Sequence, residues 1–169
     1  MKDEMLDNSP FIFIKGGIEN EDIDKLIEKL SVIPTSDMIT TVYFSCEGGP
    51  DIYAEVVIDI LNNNKNLVEL VAYGVLASNG LEIFRNFKGK KKLLPTVLGM
   101  IHNGDFPMSI RNSMNKFSEE VLLKEYIEIK NKKVISYYSK FLTKEELEVI
   151  EKGGDVWLNY ERLKEIFKV

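Results

Sequence analysis

Two chemically active residue types are nearly absent from this chain. Its 169 residues include one cysteine, Cys46, and one histidine, His102. A single cysteine cannot form an intrachain disulfide, which agrees with a reducing compartment. One cysteine and one histidine, with no second cluster of ligands, do not indicate a metal site. We therefore predict no metal and no cofactor.

Long apolar runs and an excess of positive charge are also missing. No segment approaches the ~18 consecutive apolar residues that span a bilayer, and the start, Met1 to Asp7, is acidic where a signal peptide would be basic. The formal net charge is −5, which argues against a nucleic-acid partner. We interpret the one basic cluster, Lys88 to Lys92, as a solvated turn before a strand. The sequence predicts a soluble cytoplasmic protein without a membrane or nucleic-acid partner.

The length suits one domain over residues 1–169. Apolar periodicity predicts one helix from Glu21 to Leu30, with Asn20 as its N-cap, and another from Ile52 to Leu61. Short β-branched or aromatic runs predict strands at Phe11 to Ile14, Ile39 to Phe44, Leu67 to Tyr73 and Val97 to Ile101. Because strands alternate with helices, we predict an α/β fold with a mostly parallel sheet of βαβ units, whose functional residues collect at the carboxyl ends of strands.

The last third of the chain is predicted to be mostly helical. A polar loop from Asn103 to Lys116 precedes a long helix from Phe117 to about Tyr138, which has more apolar residues than one core-facing stripe needs. Thr143 to Glu146 has the pattern of a capping box that opens the next helix. The remaining predicted elements are a short strand at Asp155 to Leu158 and a helix at Tyr160 to Phe167.

Two strand-to-helix junctions carry residues suited to acyl transfer. Gly48 and Gly49 let another chain approach their backbone N–H groups closely. Ser78 stands near a helix start, where the N–H of Asn79 and the helix dipole favour negative charge. Taken alone, the glycine pair also fits an ordinary turn, and Ser78 also fits a helix N-cap. His102 ends a later strand, and imidazole suits proton exchange near neutral pH.

Taken in order, these segments resemble the proteolytic subunit of the Clp protease, a ClpP-like serine peptidase with the ClpP/crotonase fold. Ser45 to Gly49 is similar to the family's Asn-Ser-Pro-Gly-Gly turn, and Gly74 to Gly80 to its Gly-x-Ala-Ala-Ser-Met-Gly turn. Val97 to Asn103 is similar to its Met-Ile-His-Gln segment. Phe141 to Glu146 is more weakly similar to Phe-Met-Ser-Ala-Glu-Glu. The resemblance extends from about Ile39 to Leu158.

The resemblance implies Ser78 as nucleophile and His102 as general base. It implies an oxyanion hole made by the backbone N–H of Asn79 and one from the Gly48-Gly49 turn. The implied activity is hydrolysis of polypeptide or peptide substrates through an acyl-enzyme. The long helix from Phe117 would be the handle that interlocks subunits, so that the chain assembles into homo-oligomeric rings. Docking of an ATP-dependent unfoldase is left open.

The pattern departs from the family at the third member of the triad. Counting back from Phe141 places the family's aspartate at Tyr137, which cannot replace a carboxylate. Asp105, Asp155, Ser139 or a main-chain carbonyl are alternatives for the orienting group. Loss of this aspartate costs about four orders of magnitude in turnover in a serine protease. Two alternatives therefore stay open: a weak or inactive member retained for assembly or regulation, and a crotonase-type enzyme acting on acyl-CoA.

Overall fold

Residues 11–31, 39–102, 132 and 135–169 are described by a computed structural model of the chain. The chain divides into two units, one made of Met1–Met100 with Trp157–Val169 and the other of Ile101–Val156. The single domain over residues 1–169 stays a prediction. None of the described helices is long and apolar enough to cross a membrane.

The described strands form one six-stranded sheet in the order β1-β2-β3-β5-β6, with β4 also paired to β3. The pairs β1/β2, β2/β3, β3/β4 and β3/β5 are all parallel. This confirms the predicted α/β fold with a mostly parallel sheet. The strands are β1 (Phe11–Gly17), β2 (Thr40–Gly48), β3 (Val68–Ala77), β4 (Lys90–Leu93), β5 (Leu98–Ile101) and β6 (Val156–Leu158).

The helices follow the apolar periodicity of the sequence. In the first two, buried residues recur at helical spacing, as at Leu26 and Leu30 in one helix and Val57 and Leu61 in the other. The helices predicted within the described residues are confirmed, with ends that lie within two residues of the prediction. The predicted N-cap of the first helix is wrong, because Asn20 is the first residue of that helix and the Glu19 carbonyl accepts from the Ile23 N–H at 3.4 Å. The helices are α1 (Asn20–Ser31), α2 (Asp51–Asn63), α3 (Asn79–Asn86), α4 (Lys144–Glu151) and α5 (Tyr160–Phe167).

Burial differs between the middle and the margins of the sheet. The central strands β2 and β3 are buried along most of their length, with Phe44 and Leu76 fully buried. In β1 the residues alternate between buried and exposed, and the ring of Phe13 stacks on Tyr43 with centroids 5.1 Å apart. In β6, Trp157 is 59% exposed. The best-buried strands are therefore β2 and β3, whose carboxyl ends lead to the two predicted turns.

The basic cluster is where the sequence interpretation was wrong. Lys90–Leu93 is a strand, not a solvated turn, and it pairs with Glu69–Ala72 of β3. Two of its lysines are accommodated individually: Lys90 forms a 3.1 Å ion pair with Glu69, and Nζ of the half-buried Lys91 donates to the Arg85 carbonyl at 3.1 Å. Burial, reinforced by the charge of Arg85, lowers the pKa of Lys91. A lysine-rich strand is tolerated because the long side chains keep their charged ends near water.

The unit Ile101–Val156 contains the predicted capping box. Thr143 Oγ1 accepts from the Glu146 N–H at 3.2 Å, and Glu146 Oε2 accepts from the Thr143 N–H at 2.7 Å. This box starts α4 as predicted. The predicted loop from Asn103 to Lys116 lies outside the described residues, and so does most of the predicted helix from Phe117 to Tyr138.

Candidate active site

The glycine turn at the end of β2 lies directly against the turn at the end of β3. A β-carbon added to Gly48 would lie 2.9 Å from Cβ of Ser78 and 3.3 Å from the backbone nitrogen of Asn79. Gly48 also has a φ of 109°, which disfavours any residue with a side chain. The structure thus brings together two of the segments that the sequence singled out, and it explains why a glycine stands between them.

The two glycines of this turn differ in what their N–H groups do. The Gly48 N–H donates to the sulfur of Cys46 at 3.3 Å. The Gly48 carbonyl accepts from the Ile18 N–H at 2.8 Å. In a trans peptide the carbonyl and the following N–H point in opposite directions, so the Gly49 N–H points away from Ile18. Of the two predicted donors, Gly49 is therefore the better placed to receive an oxyanion.

Ser78 occupies the junction between β3 and α3 in an unusual conformation. Its φ is 51° and its ψ is −126°, a region that costs a residue with a side chain on the order of 1–3 kcal/mol. Hydrogen bonds hold the backbone on both sides: the Ser78 N–H donates to the Met100 carbonyl at 2.9 Å, and the Ser78 carbonyl accepts from the Leu81 N–H at 3.0 Å. A sharp strand-to-helix turn of this kind presents the serine side chain at the edge of a sheet.

The alternative role of Ser78 as a helix cap is not what the structure shows. Ser78 has the N-cap position of α3, but its side chain makes no capping hydrogen bond. By contrast, the side chain of Asn159 at the start of α5 accepts from the Arg162 N–H at 2.9 Å. The strained backbone of Ser78 is therefore not explained by helix capping.

The start of α3 packs closely against β2. A β-carbon at Gly80 would collide with the Cys46 carbonyl oxygen and lie 2.8 Å from Cβ of Cys46. As the first residue of α3, Asn79 has no carbonyl one turn earlier in the helix to receive its N–H. This N–H and the positive end of the helix favour negative charge beside Ser78. The arrangement suits a developing oxyanion.

Cys46 is a structural residue beneath these turns. Its side chain is fully buried, and burial raises its pKa to about 11, with further contributions from the charges of Asp22 and Glu47. The hydrogen bond from the Gly48 N–H acts in the opposite direction. The thiol is therefore protonated at neutral pH and is not a nucleophile.

A bulge sets the position where β3 ends, and the sequence interpretation missed it. The β2/β3 register passes from Phe44↔Ala72 to Cys46↔Leu76, so β3 has two extra residues there. The buried hydroxyl of Ser45 accepts from the Val75 N–H at 3.1 Å, and Gly74 has a φ of 62°. The available signal was Gly74 itself, because an isolated glycine within an apolar strand often marks a bulge.

The sequence also predicts catalytic roles for His102, Asp105, Asp155 and Ser139. His102 follows β5 and is half-buried, and it lies in the unit Ile101–Val156. Asp105 lies outside the described residues. Asp155 and Ser139 are exposed, and the Ser139 hydroxyl donates to the Ser136 carbonyl at 2.9 Å. The roles of these four residues stay predictions. Within the described part of the chain, no group of three or more His, Cys, Asp or Glu residues could hold a metal ion.

Comparison with known proteins identifies the family. The family model of the Clp protease matches residues 2–164. The chain belongs to the Clp protease family. Among solved structures, a mutant of ClpP1 from Listeria monocytogenes is similar with a TM-score of 0.66 and 21% identity, covering 98% of this chain and 91% of that chain. No curated protein sequence matches the chain. The resemblance drawn from the sequence is thus confirmed for the family, and the likeness to the solved Clp structure confirms the fold.

Proposed function

We propose that this chain is a serine-type peptidase subunit that hydrolyses peptide bonds within a self-assembled oligomer. Membership of the Clp protease family supports a peptidase-type function exercised in an oligomer. The observation that carries the finer assignment is the conformation of Ser78, whose backbone is strained and whose side chain does not cap the helix that follows. Strain of this kind persists where the surrounding structure imposes it, and it clusters at active sites.

In the proposed mechanism, Ser78 Oγ attacks the carbonyl carbon of the scissile peptide while His102 takes the hydroxyl proton. The backbone N–H groups of Asn79 and Gly49 receive the oxyanion of the tetrahedral intermediate. Each donor of this kind lowers the barrier by about 3 kcal/mol. His102 then gives the proton to the leaving amine, and a water molecule hydrolyses the ester on Ser78 by the same steps.

The orienting group of His102 is assigned to one of the alternatives left by the sequence. These are Asp105, Asp155, Ser139 and a main-chain carbonyl. Asp105→Asn, Asp155→Asn and Ser139→Ala distinguish the side chains, because loss of the true partner lowers turnover by up to about four orders of magnitude. If none of the three lowers turnover, a main-chain carbonyl orients the imidazole.

The substrates that fit this proposal are unfolded polypeptides or short peptides. Assembly is tested by light scattering on a size-exclusion column, where a ring gives a multiple of the subunit mass. A monomer that still cleaves peptides would overturn the oligomeric part of the proposal. Whether an ATP-dependent unfoldase delivers substrates is tested by adding one from the same cell and measuring degradation of a folded protein.

Fluorophosphonate labelling followed by intact-mass spectrometry tests the chemistry. We expect one adduct on the wild type, none on Ser78→Ala, and labelling slowed at least ~10³-fold in His102→Ala. Ser136→Ala is the matched control, because Ser136 is an exposed serine whose loss should leave labelling unchanged. An adduct that persists in Ser78→Ala would contradict the assignment. A folded wild type that never reacts would favour an inactive member, and acyl-CoA binding without labelling would favour the crotonase-type enzyme.

A further inference from the structure

The side chain of Asn79 joins the two turns of the candidate site. Its Nδ2 donates to the Gly49 carbonyl at 2.7 Å and to Asp51 Oδ1 at 2.8 Å. A side-chain amide nitrogen carries two hydrogens, so both are used. One side chain at the start of α3 thereby reaches the glycine turn and the first residue of α2.

The hydrogen bond from Asn79 is one of two that together fix the backbone conformation of Gly49. The carbonyl before it, that of Gly48, accepts from the Ile18 N–H at 2.8 Å, and the carbonyl of Gly49 itself accepts from Asn79. A residue has only two soft backbone dihedrals, so holding the peptide planes on both sides of its α-carbon fixes its conformation. The direction of the Gly49 N–H then follows from that of the Gly48 carbonyl.

Asp51 fixes which way round the Asn79 amide lies. If the amide were reversed, its oxygen would face two acceptors, the Gly49 carbonyl and the Asp51 carboxylate. A carboxylate also accepts a stronger hydrogen bond than a neutral group does. Asp51 therefore holds Nδ2 toward Gly49 and excludes the reversed amide.

On the basis of the function proposed above, we propose that the Asn79 side chain is a positioning residue. It fixes the distance and the relative direction of two backbone donors, its own N–H and that of Gly49, so that both meet the same oxyanion. Preorganised donors act on the transition state, so their displacement lowers the rate of acylation more than it weakens substrate binding.

Asn79→Leu is the principal test, because leucine has a similar size and no donor. On a fluorogenic peptide we expect kcat to fall about 10- to 100-fold with KM changed less than about threefold, which is the effect of a displacement of about 1 Å. The rate of fluorophosphonate labelling should fall by the same factor. Asp51→Asn replaces the carboxylate with a weaker, neutral acceptor and should lower kcat by a smaller factor than Asn79→Leu does.

Asn62→Leu is the matched control. Asn62 also bridges two elements through its amide, since its Nδ2 donates to the Asn86 carbonyl at 3.2 Å and its Oδ1 accepts from the Lys88 N–H at 2.7 Å. It lies at the opposite end of α2 from the glycine turn. We expect its kcat and labelling rate to equal those of the wild type. An equal loss of rate in Asn62→Leu would mean that removing any such bridge has the same effect, and would overturn the proposal.

Deuterium uptake by the segment 46–51 separates this inference from the proposed function. Asn79→Leu should take up deuterium faster there than the wild type does. If the wild type reacts and Asn79→Leu reacts equally fast, the positioning role is overturned whatever the uptake shows. If the folded wild type reacts with neither peptide nor fluorophosphonate, the proposed function falls. In that case deuterium uptake alone tests whether Asn79 fixes the conformation of Gly49. Uptake by Asn79→Leu equal to that of the wild type would then overturn the inference as well.

Discussion

The starts of α3 and α4 look alike in sequence and differ in structure. Each has a hydroxyl residue, Ser78 or Thr143, immediately before the helix. Thr143 has an extended backbone with a φ of −72° and caps its helix through its side chain. Ser78 has a φ of 51° and does not. The same residue pattern therefore stabilises one helix and is held in a strained conformation at the other.

The difference lies in what holds each turn. The α4 start is satisfied within four residues by the reciprocal bonds of Thr143 and Glu146. The α3 start is held by residues that are remote in sequence: Cys46 and Gly48 of β2, and Met100 of β5. Local interactions determine a cap, whereas long-range packing imposes the strained turn. Substitutions at remote positions should therefore disturb the α3 start, and local ones the α4 start.

The largest expected effect is that of Gly80→Ala. The new β-carbon would collide with the backbone of Cys46, which cannot move aside as a side-chain end would. We expect a loss of about 3 kcal/mol in the free energy of unfolding, measured by urea denaturation. Glu145→Ala is the control, because Glu145 is exposed at the equivalent position in α4 and should change stability by less than about 0.5 kcal/mol. Equal effects would abolish the distinction between the two helix starts.

Alkaline pH should weaken the support beneath the α3 start. The pKa of Cys46 is raised from 9.0 to about 11 in the folded protein, so its contribution to stability is fully present below pH 9 and is lost as the pH rises toward 11. The loss relative to Cys46→Ser should reach about 2 to 3 kcal/mol. Urea unfolding at pH 8 and pH 11 measures this difference.

The α4 start provides the contrast for this pH effect. The destabilisation caused by Thr143→Ala should be equal at the two pH values, because the hydrogen bonds between Thr143 and Glu146 do not involve the Cys46 thiol. A wild-type protein that loses no more stability than Cys46→Ser between pH 8 and pH 11 would show that the thiol is not buried as described.

Removing the hydroxyl that holds the β3 bulge should have the next largest effect. Ser45→Ala leaves the half-buried Val75 N–H without its acceptor, which should lower the free energy of unfolding by about 1 to 2 kcal/mol. Ser31 is the matched control: its exposed hydroxyl donates to the Glu28 carbonyl, three residues away, at 2.7 Å. Ser31→Ala should cost less than about 0.5 kcal/mol by thermal denaturation. Equal costs would mean that the bulge does not depend on Ser45.

The smallest expected effects have opposite signs. Ser78→Gly relieves the strained φ and should raise the free energy of unfolding by about 1 kcal/mol, after the extra flexibility of glycine in the unfolded chain is subtracted. Thr143→Ala removes a cap and should lower it by about 1 kcal/mol. Two-state urea curves give both values. Destabilisation by Ser78→Gly would show that serine is not strained at this position.

The comparison also explains which features the sequence could predict. The capping box at Thr143 was predictable because its two partners are three residues apart, and α5 because its apolar residues have helical spacing. The strand β4 was missed because its three lysines resemble a solvated turn, and only pairing with β3 makes it a strand. Propensity is a weak guide where tertiary contacts decide the conformation.

The candidate site likewise combines features that the sequence could predict with features that depend on the folded chain. The glycine pair, Ser78 and His102 could be singled out from residue type and order. The bridge from Asn79 to Asp51 joins residues 28 apart in sequence, and no local pattern indicates it. Likewise, the choice of Gly49 over Gly48 as a donor depends on contacts with Ile18 and Cys46 that only the folded chain reveals.

The fluorescence of Trp157 can be used to follow association of this protein. It is the single tryptophan of the chain, and it is 59% exposed on β6, so its fluorescence comes from one known position. In the isolated subunit its emission should be red-shifted and readily quenched by acrylamide. A second copy or another protein covering that strand would shift the emission to the blue and slow the quenching. Association at this face can therefore be followed in real time without attaching a dye.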